Sequence, residues 1–416
     1  MIDDDNTFER LVAAGENVCL TGPGGTGKSY RTRRVIDRDP GRFAVTASTG
    51  IAALSIRGLT LHRWSGMMLG PQNGESDEDY LDHLMADKRF SVRAGFDRIR
   101  SVETLVIDEV SMLNGRTLDF LDFLSRRLRG DDRPFGGIQM IVTGDFLQLP
   151  PVKKDPSAPY DWAFESRAWR EAGFNVVHLT KVHRQEDAVF VGALSEFRFG
   201  RVAGRNAQLL RARVAKFPDA NLTRLFTHNA QVDKWNAYRL GEIDSELQVF
   251  EAELGGPEHQ QQFLINNLLT PQRLELKRGA SVMFTVNSSE GGFVNGQTGT
   301  VVDFAWGRIA VESEGRQFAV EPFTWPYDSR DKHSAIFRQF PLRLSYALTI
   351  HKSQGLTLDS AYIDVRAARE PGQAYVALSR LRTLSGLHLK DWFSGVFVSK
   401  AATDFYTNHS APLIPA

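Results

Sequence analysis

The stretch Asn17-Val18-Cys19-Leu20-Thr21, running into Gly22-Pro23-Gly24-Gly25-Thr26-Gly27-Lys28-Ser29, decides the fold. A short apolar run that breaks into a glycine-rich loop ending in Lys-Ser, and then opens a helix, is the strand–loop–helix context of a phosphate-binding loop. Glycines let backbone N–H groups close around phosphate oxygens, and the helix N-terminus adds a favourable dipole. Gly22, Gly24, Gly25, Thr26 and Gly27 are therefore expected to build the cradle. Lys28 should reach the β- and γ-phosphates, and Ser29 should ligate Mg²⁺.

Two further strand ends supply what a hydrolytic site needs. Leu105-Val106-Ile107-Asp108-Glu109 ends in two carboxylates, which places Asp108 near the metal and Glu109 near the attacking water as general base. An acidic pair after a strand can be a mere turn; beside the loop it becomes a hydrolysis site. Ile141-Val142-Thr143-Gly144-Asp145-Phe146-Leu147-Gln148-Leu149-Pro150-Pro151 marks the third end. Gln148 there can contact both the γ-phosphate and the attacking water. Taken alone, a buried structural amide is the better reading. Loop and acidic pair by themselves fit many nucleotide hydrolases.

From Asn17 to Leu179 strand and helix patterns alternate. Apolar runs at Asn17–Thr21, Phe43–Ala47, Thr104–Ile107, Ile138–Thr143 and Asn175–Leu179 flank helical stretches such as Leu118, Leu121, Leu124 and Leu128. That alternation predicts a parallel sheet with helices on both faces. The segment Gly66–Val102 interrupts it, and reads either as a solvated loop with one short helix or as a functional wedge. A second α/β unit begins near His183, with an amphipathic helix (Phe190, Leu194, Phe197), a strand at Leu222–Thr227 and a helix carrying Val232, Trp235 and Leu240. Then the period changes. Ser281–Asn287, Thr298–Phe304, Arg308–Ser313 and Arg316–Phe323 are short, β-rich and separated by Gly or Asn turns, which predicts a small inserted barrel. The α/β pattern returns at Leu342, and Ser410–Ala416 is expected to fray.

Composition bounds the reading without naming a partner. With 416 residues, 42% of them hydrophobic and 24% charged, the chain is an ordinary globular sequence. No run approaches the roughly 18 apolar residues of a membrane span. The acidic start Met1-Ile2-Asp3-Asp4-Asp5 is unlike a leader, and the single Cys19 excludes an internal disulfide and suits a reducing cytoplasm. Cys19 reads as a buried thiol. Fifty basic residues balance fifty acidic ones, so bulk attraction to nucleic acid is not indicated. A narrow groove that grips one strand through stacking, hydroxyls and amides is compatible with zero net charge.

Read together, the motifs resemble the PIF (petite integration frequency) family of DNA helicases, in the B branch of superfamily one. The likeness runs from Glu16 to Leu389 in the family's order. Thr46-Ala47-Ser48-Thr49-Gly50-Ile51-Ala52-Ala53 and Leu59-Thr60-Leu61-His62 resemble its first DNA-contacting motifs, and Asp108-Glu109-Val110-Ser111-Met112 its acidic motif. Arg133-Pro134-Phe135-Gly136-Gly137-Ile138-Gln139, leading into Gly144–Val152, is similar to the family's own signature. Leu179-Thr180-Lys181-Val182-His183-Arg184-Gln185 resembles the motif opening the second motor domain. Leu276–Met283 and Val294–Gly299 resemble the start of its inserted barrel. Leu348-Thr349-Ile350-His351-Lys352-Ser353-Gln354-Gly355 and Gly372-Gln373-Ala374-Tyr375-Val376-Ala377-Leu378-Ser379-Arg380 match its last two motifs. One departure stands out: the family's adenine-reading glutamine should fall near Asp5 or Asn6, and neither is glutamine.

The resemblance implies an α/β fold of two RecA-like P-loop NTPase domains, with ATP and Mg²⁺ in the cleft between them. The first would span 1–182 with its small wedge insertion at about 66–102; the second would span 183–275 and 341–416, interrupted by an SH3-like barrel at 276–340. Lys28, Glu109 and Gln148 would act from the first domain, Arg184 and Arg380 as arginine fingers from the second, and Gly355 would lie at the nucleotide. Thr49, Gly50, His62 and Pro151, with Thr349, His351 and Lys352, would contact DNA. Trp64 and Phe146 are read as core aromatics in preference to base-stacking platforms. The implied activity is 5′-to-3′ translocation on single-stranded DNA with unwinding of forked or tailed duplexes, by a cytoplasmic protein, monomeric in solution and without a membrane partner, resembling a minimal bacterial or phage core. Rival readings are an RNA-directed or protein-displacing translocase and a nucleotide-gated binding module. Against the module stands the full set of Lys28, Glu109, Gln148, Arg184 and Arg380.

Overall fold

In a computed structural model of the chain, the apolar run ahead of the glycine-rich loop is a strand, β1 (Val18–Thr21), with all four residues buried. The structure describes residues 6–409 apart from 57, 72–73, 154, 216–218, 220–221, 289–291, 306, 328–333 and 393–395. Asp5, one of the two positions considered for adenine recognition, and the Ser410–Ala416 tail lie outside the described residues.

Helix α1 (Thr7–Ala13) precedes β1. After it come α2 (Lys28–Ile36), β2 (Phe43–Ala47), α3 (Gly50–Ser55), β3 (Leu59–Thr60), α4 (Leu61–Ser65), α5 (Asp77–Ala86), α6 (Phe90–Ser101), β4 (Thr104–Asp108), α7 (Gly115–Arg129), β5 (Gln139–Gly144), α8 (Arg167–Ala172) and β6 (Asn175–His178). The strands form one six-stranded sheet in the order β3-β2-β4-β5-β1-β6, every pairing parallel. Strands β1 and β5 are buried along their whole length, the pattern of parallel strands covered on both faces. Because β4, β5 and β1 are neighbours running the same way, their carboxyl ends share one edge. Crevices at such edges are where open α/β sheets take their ligands.

Local sequence explains the helices around this sheet. Asn114 caps α7 by accepting from Thr117 N, Gly130 ends it in the left-handed region, and Leu118, Phe120, Leu121 and Leu124 are buried. The Arg133–Gly137 signature turns out to be a structural closure of that helix. Phe135 is fully buried, its N–H donates to Asp122 Oδ1 at 2.6 Å, and Arg129 Nε donates to Gly136 O at 2.6 Å. Among the described residues between 66 and 102 there are two helices, α5 and α6, where the loop reading, one of two left open, had a single short one. Helix α6 buries Val92, Phe96 and Ile99, and Arg98 donates to Trp64 O at 2.7 Å and Arg63 O at 3.0 Å. These bonds satisfy carbonyls at the end of α4, so the α6 half of the excursion is packed core and not solvated loop.

The chain divides into two compact units: Met1–His183 with Glu370–Gly372 and Val398–Ala416, and Arg184–Arg369 with Gln373–Phe397. The second holds α9 (Ala188–Arg198), α10 (Gly204–Arg211), β7 (Thr223–Phe226), α11 (Asn229–Gly241), β8 (Gln248–Glu251), β9 (Glu253–Gly255), α12 (Glu258–Asn267), β10 (Arg273–Leu276), β11 (Ser281–Phe284), β12 (Thr298–Ala305), β13 (Arg308–Ser313), β14 (Arg316–Val320), β15 (Phe323–Pro326), β16 (Ile336–Gln339), β17 (Leu342–Leu344), β18 (Ala347–Thr349), β19 (Ala361–Ile363), α13 (Gln373–Leu378) and β20 (Leu387–Leu389). Strands β18-β7-β19-β20 form a parallel sheet, the second α/β core.

The β-rich insertion is present, with wider bounds than expected. Its pairings begin at β8 and end at β17, where residues 276–340 had been assigned. Its main sheet, β14-β13-β12-β11-β17, is antiparallel and packs Val282, Phe284, Val301, Ile309, Val311, Val320 and Leu342 into a core with Leu274 and Leu276. Among the described residues its hydrogen-bond order ends on β14 and β17 and does not close on itself. Helix α14 (Lys400–His409) corrects the domain assignment. Residues 398–416 belong to the first unit, not the second, because Phe405 and Tyr406 are buried against that unit's aromatic residues.

Candidate functional site

The loop between β1 and α2 is shaped by steric necessity. A Cβ on Gly22 would sit 2.4 Å from Leu179 O, so no side chain fits there. Gly27 takes a left-handed conformation (φ 84°) as the N-cap of α2 and offers that helix no side-chain acceptor. The amino end of α2 is thus set to receive an anion, which is the fit a triphosphate requires. Thr26 Oγ1 donates to Pro23 O at 2.9 Å, and Lys28 Nζ donates to Gly22 O at 2.8 Å and Pro23 O at 3.0 Å. The lysine thus bends back over its own loop. Ser29 lies exposed on the first turn of α2, and Gly24 and Gly25 complete the bend, with Gly25 O accepting from His183 N at 2.8 Å. Burial pushes the Cys19 thiol well above its ordinary value, so it is an inert core group.

Two strands away, Asp108 ends β4. Its Oδ1 accepts from Glu109 N at 2.9 Å and from the Thr143 hydroxyl on β5. Glu109 is held at φ 53°, ψ 46°, a left-handed conformation that costs a non-glycine residue roughly 1–2 kcal/mol. Ser48 helps hold it: Ser48 Oγ donates to Glu109 O at 2.6 Å, and Ser48 N donates to Asp108 O at 3.1 Å. Ser48 is a positioning residue that sequence reasoning passed over. Its signal was its place in the Thr46–Ala53 motif, where only Thr49 and Gly50 were singled out.

The end of β5 carries Asp145, 1% exposed, and Gln148, 6% exposed. Gln148 Nε2 donates to Asp145 Oδ2 at 3.2 Å, and Leu147 N donates to Asp145 Oδ1 at 3.1 Å. The Gln148 amide is thus buried and bonded, and it stands just beyond the carboxyl end of β5. Phe146 is fully buried in an aromatic cluster with Trp162, Phe164, Trp169 and Phe405, and Trp64 is 3% exposed. Both are core residues.

In the second unit, Arg184 and Arg380 converge on one residue. Arg184 Nη1 donates to Ser379 O at 3.1 Å, while Arg380 Nη2 donates to Ser379 Oγ at 2.8 Å and Arg380 Nε to Val376 O at 2.9 Å. Gln185 joins them, donating from Nε2 to Ser379 O at 3.1 Å and Leu381 O at 2.7 Å. Arg380 is 2% exposed. Gln185 and Ser379 were quoted within motifs but given no role.

The nucleic-acid candidates fall in both units. Thr49 has a structural duty, capping α3 by accepting from Ala52 N at 3.3 Å, and Gly50 opens that helix. His62 lies in α4, and burial pushes its imidazole below its usual value of 6.5. Pro151 is buried after the Gln148 turn. In the second unit Thr349 ends β18 and accepts from Lys352 N at 3.2 Å; His351 and Lys352 are half-buried. Burial, and then the charge of Arg343, push the Lys352 amine down, while Asp233 pulls it up. Gly355 is exposed, with left-handed φ of 82°. Among the described residues no helix is long and apolar enough to cross a membrane.

Comparison with known proteins agrees with this geometry. Residues 6–195 match the PIF1-like helicase family. The chain is 40% identical over 386 residues to the ATP-dependent DNA helicase Pif1 of Bdellovibrio bacteriovorus, covering 92% of this chain and 86% of that relative. It spans about 60% of the length of the curated vertebrate relatives it matches. A crystal structure of Bacteroides sp Pif1 in complex with ADP-AlF4 is similar over 98% of this chain and 97% of its own, with 30% identity and a TM-score of 0.84. Bacteroides Pif1 bound to single-stranded DNA matches with 31% identity and a TM-score of 0.66, over 98% of this chain and 97% of that one. With the strand-end motifs in place and a relative this similar over most of both chains, the protein belongs to the PIF1-like helicase family.

Proposed function

We propose that the chain is an ATP-dependent DNA helicase that moves 5′-to-3′ along single-stranded DNA and unwinds forked or tailed duplexes. The observation that carries the chemistry is the adjacency of β4, β5 and β1, which brings Lys28, Glu109 and Gln148 to one edge of one sheet. The partner follows from family relatives named as DNA helicases.

Lys28 and the backbone of the Gly22–Gly27 loop bind the triphosphate, and Lys28 exchanges its two carbonyl partners for phosphate oxygens. Glu109 takes the proton from the attacking water, and Gln148 orients that water. Ser29 and Asp108 are the residues that would hold Mg²⁺, which would supply positive charge against the phosphates when bound. Arg184 and Arg380 serve as arginine fingers, exchanging neutral oxygen acceptors for the transferring phosphoryl group, and Gly355 lies near the nucleotide. Thr49, Gly50 and His62 on one side, and Thr349, His351 and Lys352 on the other, hold the strand by neutral donors, amides and one amine, with Pro151 in apolar contact. That is how a chain of zero net charge grips a polyanion. The 66–102 excursion acts as the wedge, and the β-rich insertion, read as SH3-like, as a clamp. Opening one base-pair step costs about 1.4 kcal/mol, so a modest wedge suffices. The protein works as a cytoplasmic monomer.

Strand displacement on duplexes carrying either a 5′ or a 3′ single-stranded tail tests unwinding and polarity together. ATP-dependent displacement of the 5′-tailed duplex alone is expected. Equal displacement of both, or of neither while RNA stimulates ATP hydrolysis as strongly as DNA, would replace this reading with a different translocase.

A further inference from the structure

The hydroxyl of Tyr406, on α14, is bonded to Thr21, Phe146 N and Asp145 in the first unit, and the directions of these bonds can be assigned. Donors converge on Asp145, among them Leu147 N at 3.1 Å, Gln148 Nε2 at 3.2 Å and Tyr406 Oη at 3.0 Å. Such convergence suits an acceptor-only carboxylate. Tyr406 therefore spends its single proton on Asp145. Phe146 N donates to Tyr406 Oη at 3.1 Å, and the remaining partner, Thr21 Oγ1 at 2.6 Å, must donate as well. The result is one directed chain from Thr21 through Tyr406 to Asp145, with Gln148 bonded to the far oxygen of the same carboxylate.

Both ends of that chain lie at the nucleotide edge of the sheet. Thr21 is the last residue of β1, directly before the phosphate loop, and Gln148 follows β5. With Nε2 donating to Asp145, the Gln148 amide plane is held by that carboxylate. The phenol is buried and anchored beside Phe405, whose ring packs against Phe146, Phe164 and Trp169. Its rotamer is thus fixed by packing, which is what a second layer of support around a catalytic group needs.

Resting on the hydrolytic reading above, we propose that Tyr406 is a positioning residue for ATP hydrolysis. Through Asp145 it sets the orientation of the Gln148 amide towards the attacking water, and through Thr21 it ties that orientation to the strand that carries the phosphate loop. Helix α14 is on this account a working part of the nucleotide site and not a terminal appendage.

The test uses the full chain with saturating single-stranded DNA. Tyr406→Phe keeps the ring and removes the hydroxyl. It should lower kcat for ATP hydrolysis about 3- to 10-fold, the size of one lost positioning hydrogen bond, with KM for ATP changed less than about 2-fold. In a Gln148→Ala background the same substitution should change kcat no further, because its route of action is gone. Unchanged kcat in Tyr406→Phe, or an equal loss in the Gln148→Ala background, would overturn the proposal while leaving the helicase reading intact. Absence of DNA-stimulated hydrolysis in the unaltered chain would remove the helicase reading and this inference together.

Discussion

The carboxyl edge of β4, β5 and β1 and the Ser379 cluster of the second unit are held by different means. In the first, Lys28, Glu109 and Gln148 stand where they do because three adjacent parallel strands end side by side, and the backbone is pinned by Gly22 against Leu179 O and by Ser48 on Glu109 O. In the second, Arg184 and Arg380 meet at Ser379, where Arg184 bonds its carbonyl and Arg380 its hydroxyl, with Arg380 also bonded to Val376 O. Sheet geometry is a fixed frame. A guanidinium bonded to a carbonyl or a hydroxyl can exchange that partner for a stronger, charged one. On the proposed reading, one region holds a ligand still and the other changes partners when charge develops.

The largest effect should come from the exchangeable side. Arg380→Ala is expected to lower kcat for DNA-stimulated ATP hydrolysis about 10³- to 10⁵-fold, the range seen for lost arginine fingers, with DNA affinity by fluorescence anisotropy nearly unchanged. Arg380 is buried, so circular dichroism has to accompany the assay. An unfolded variant would make the arginine a structural residue and erase the contrast between the two regions.

On the fixed side, Glu109→Gln should reduce turnover by about 10²–10⁴-fold while nucleotide and DNA binding persist. The isosteric amide leaves the backbone bond from Ser48 in place. Turnover close to that of the unaltered chain in single-turnover kinetics would take the general base away from β4 and weaken the idea of a frame built around it.

The smallest effect concerns pH and His62. Burial lowers its pKa below 6.5, so at and below that pH the unfolded chain binds more protons than the folded one. Stability attributable to this site is therefore complete above pH 6.5 and falls as the solution is acidified through and below it. Thermal midpoints measured across that range should fall less steeply for His62→Gln than for the unaltered chain. Parallel slopes would mean that His62 is not protonation-poor in the fold.

Legibility in the sequence followed the range of the interaction concerned. Strand β2 was read to its residue limits, and the phosphate loop and the acidic pair fell where expected, because hydrophobic period and glycine spacing are local properties. The β-rich insertion was read as starting near 276, yet its pairing begins at Gln248. Strand β8 finds its partner in β10 across the intervening helix α12, and no turn signal marks such a pairing. Helix α14 was placed with the second domain. Its apolar positions show that one face is buried, but Phe405 and Tyr406 do not encode which unit receives them.

The amino-acid sequence alone pointed to a phosphate-binding loop, to an acidic pair as the candidate hydrolytic group, and to the helicase family to which the chain belongs. Those conclusions rest on residue types at short spacing, where chemistry and backbone conformation are set by near neighbours. Tertiary structure decided which strand ends become adjacent, that Ser48 supports a left-handed Glu109, and that Tyr406 returns across 261 positions to Asp145. Contacts of that kind depend on chain segments that meet only after the sheet has formed, and one-dimensional order carries no record of them.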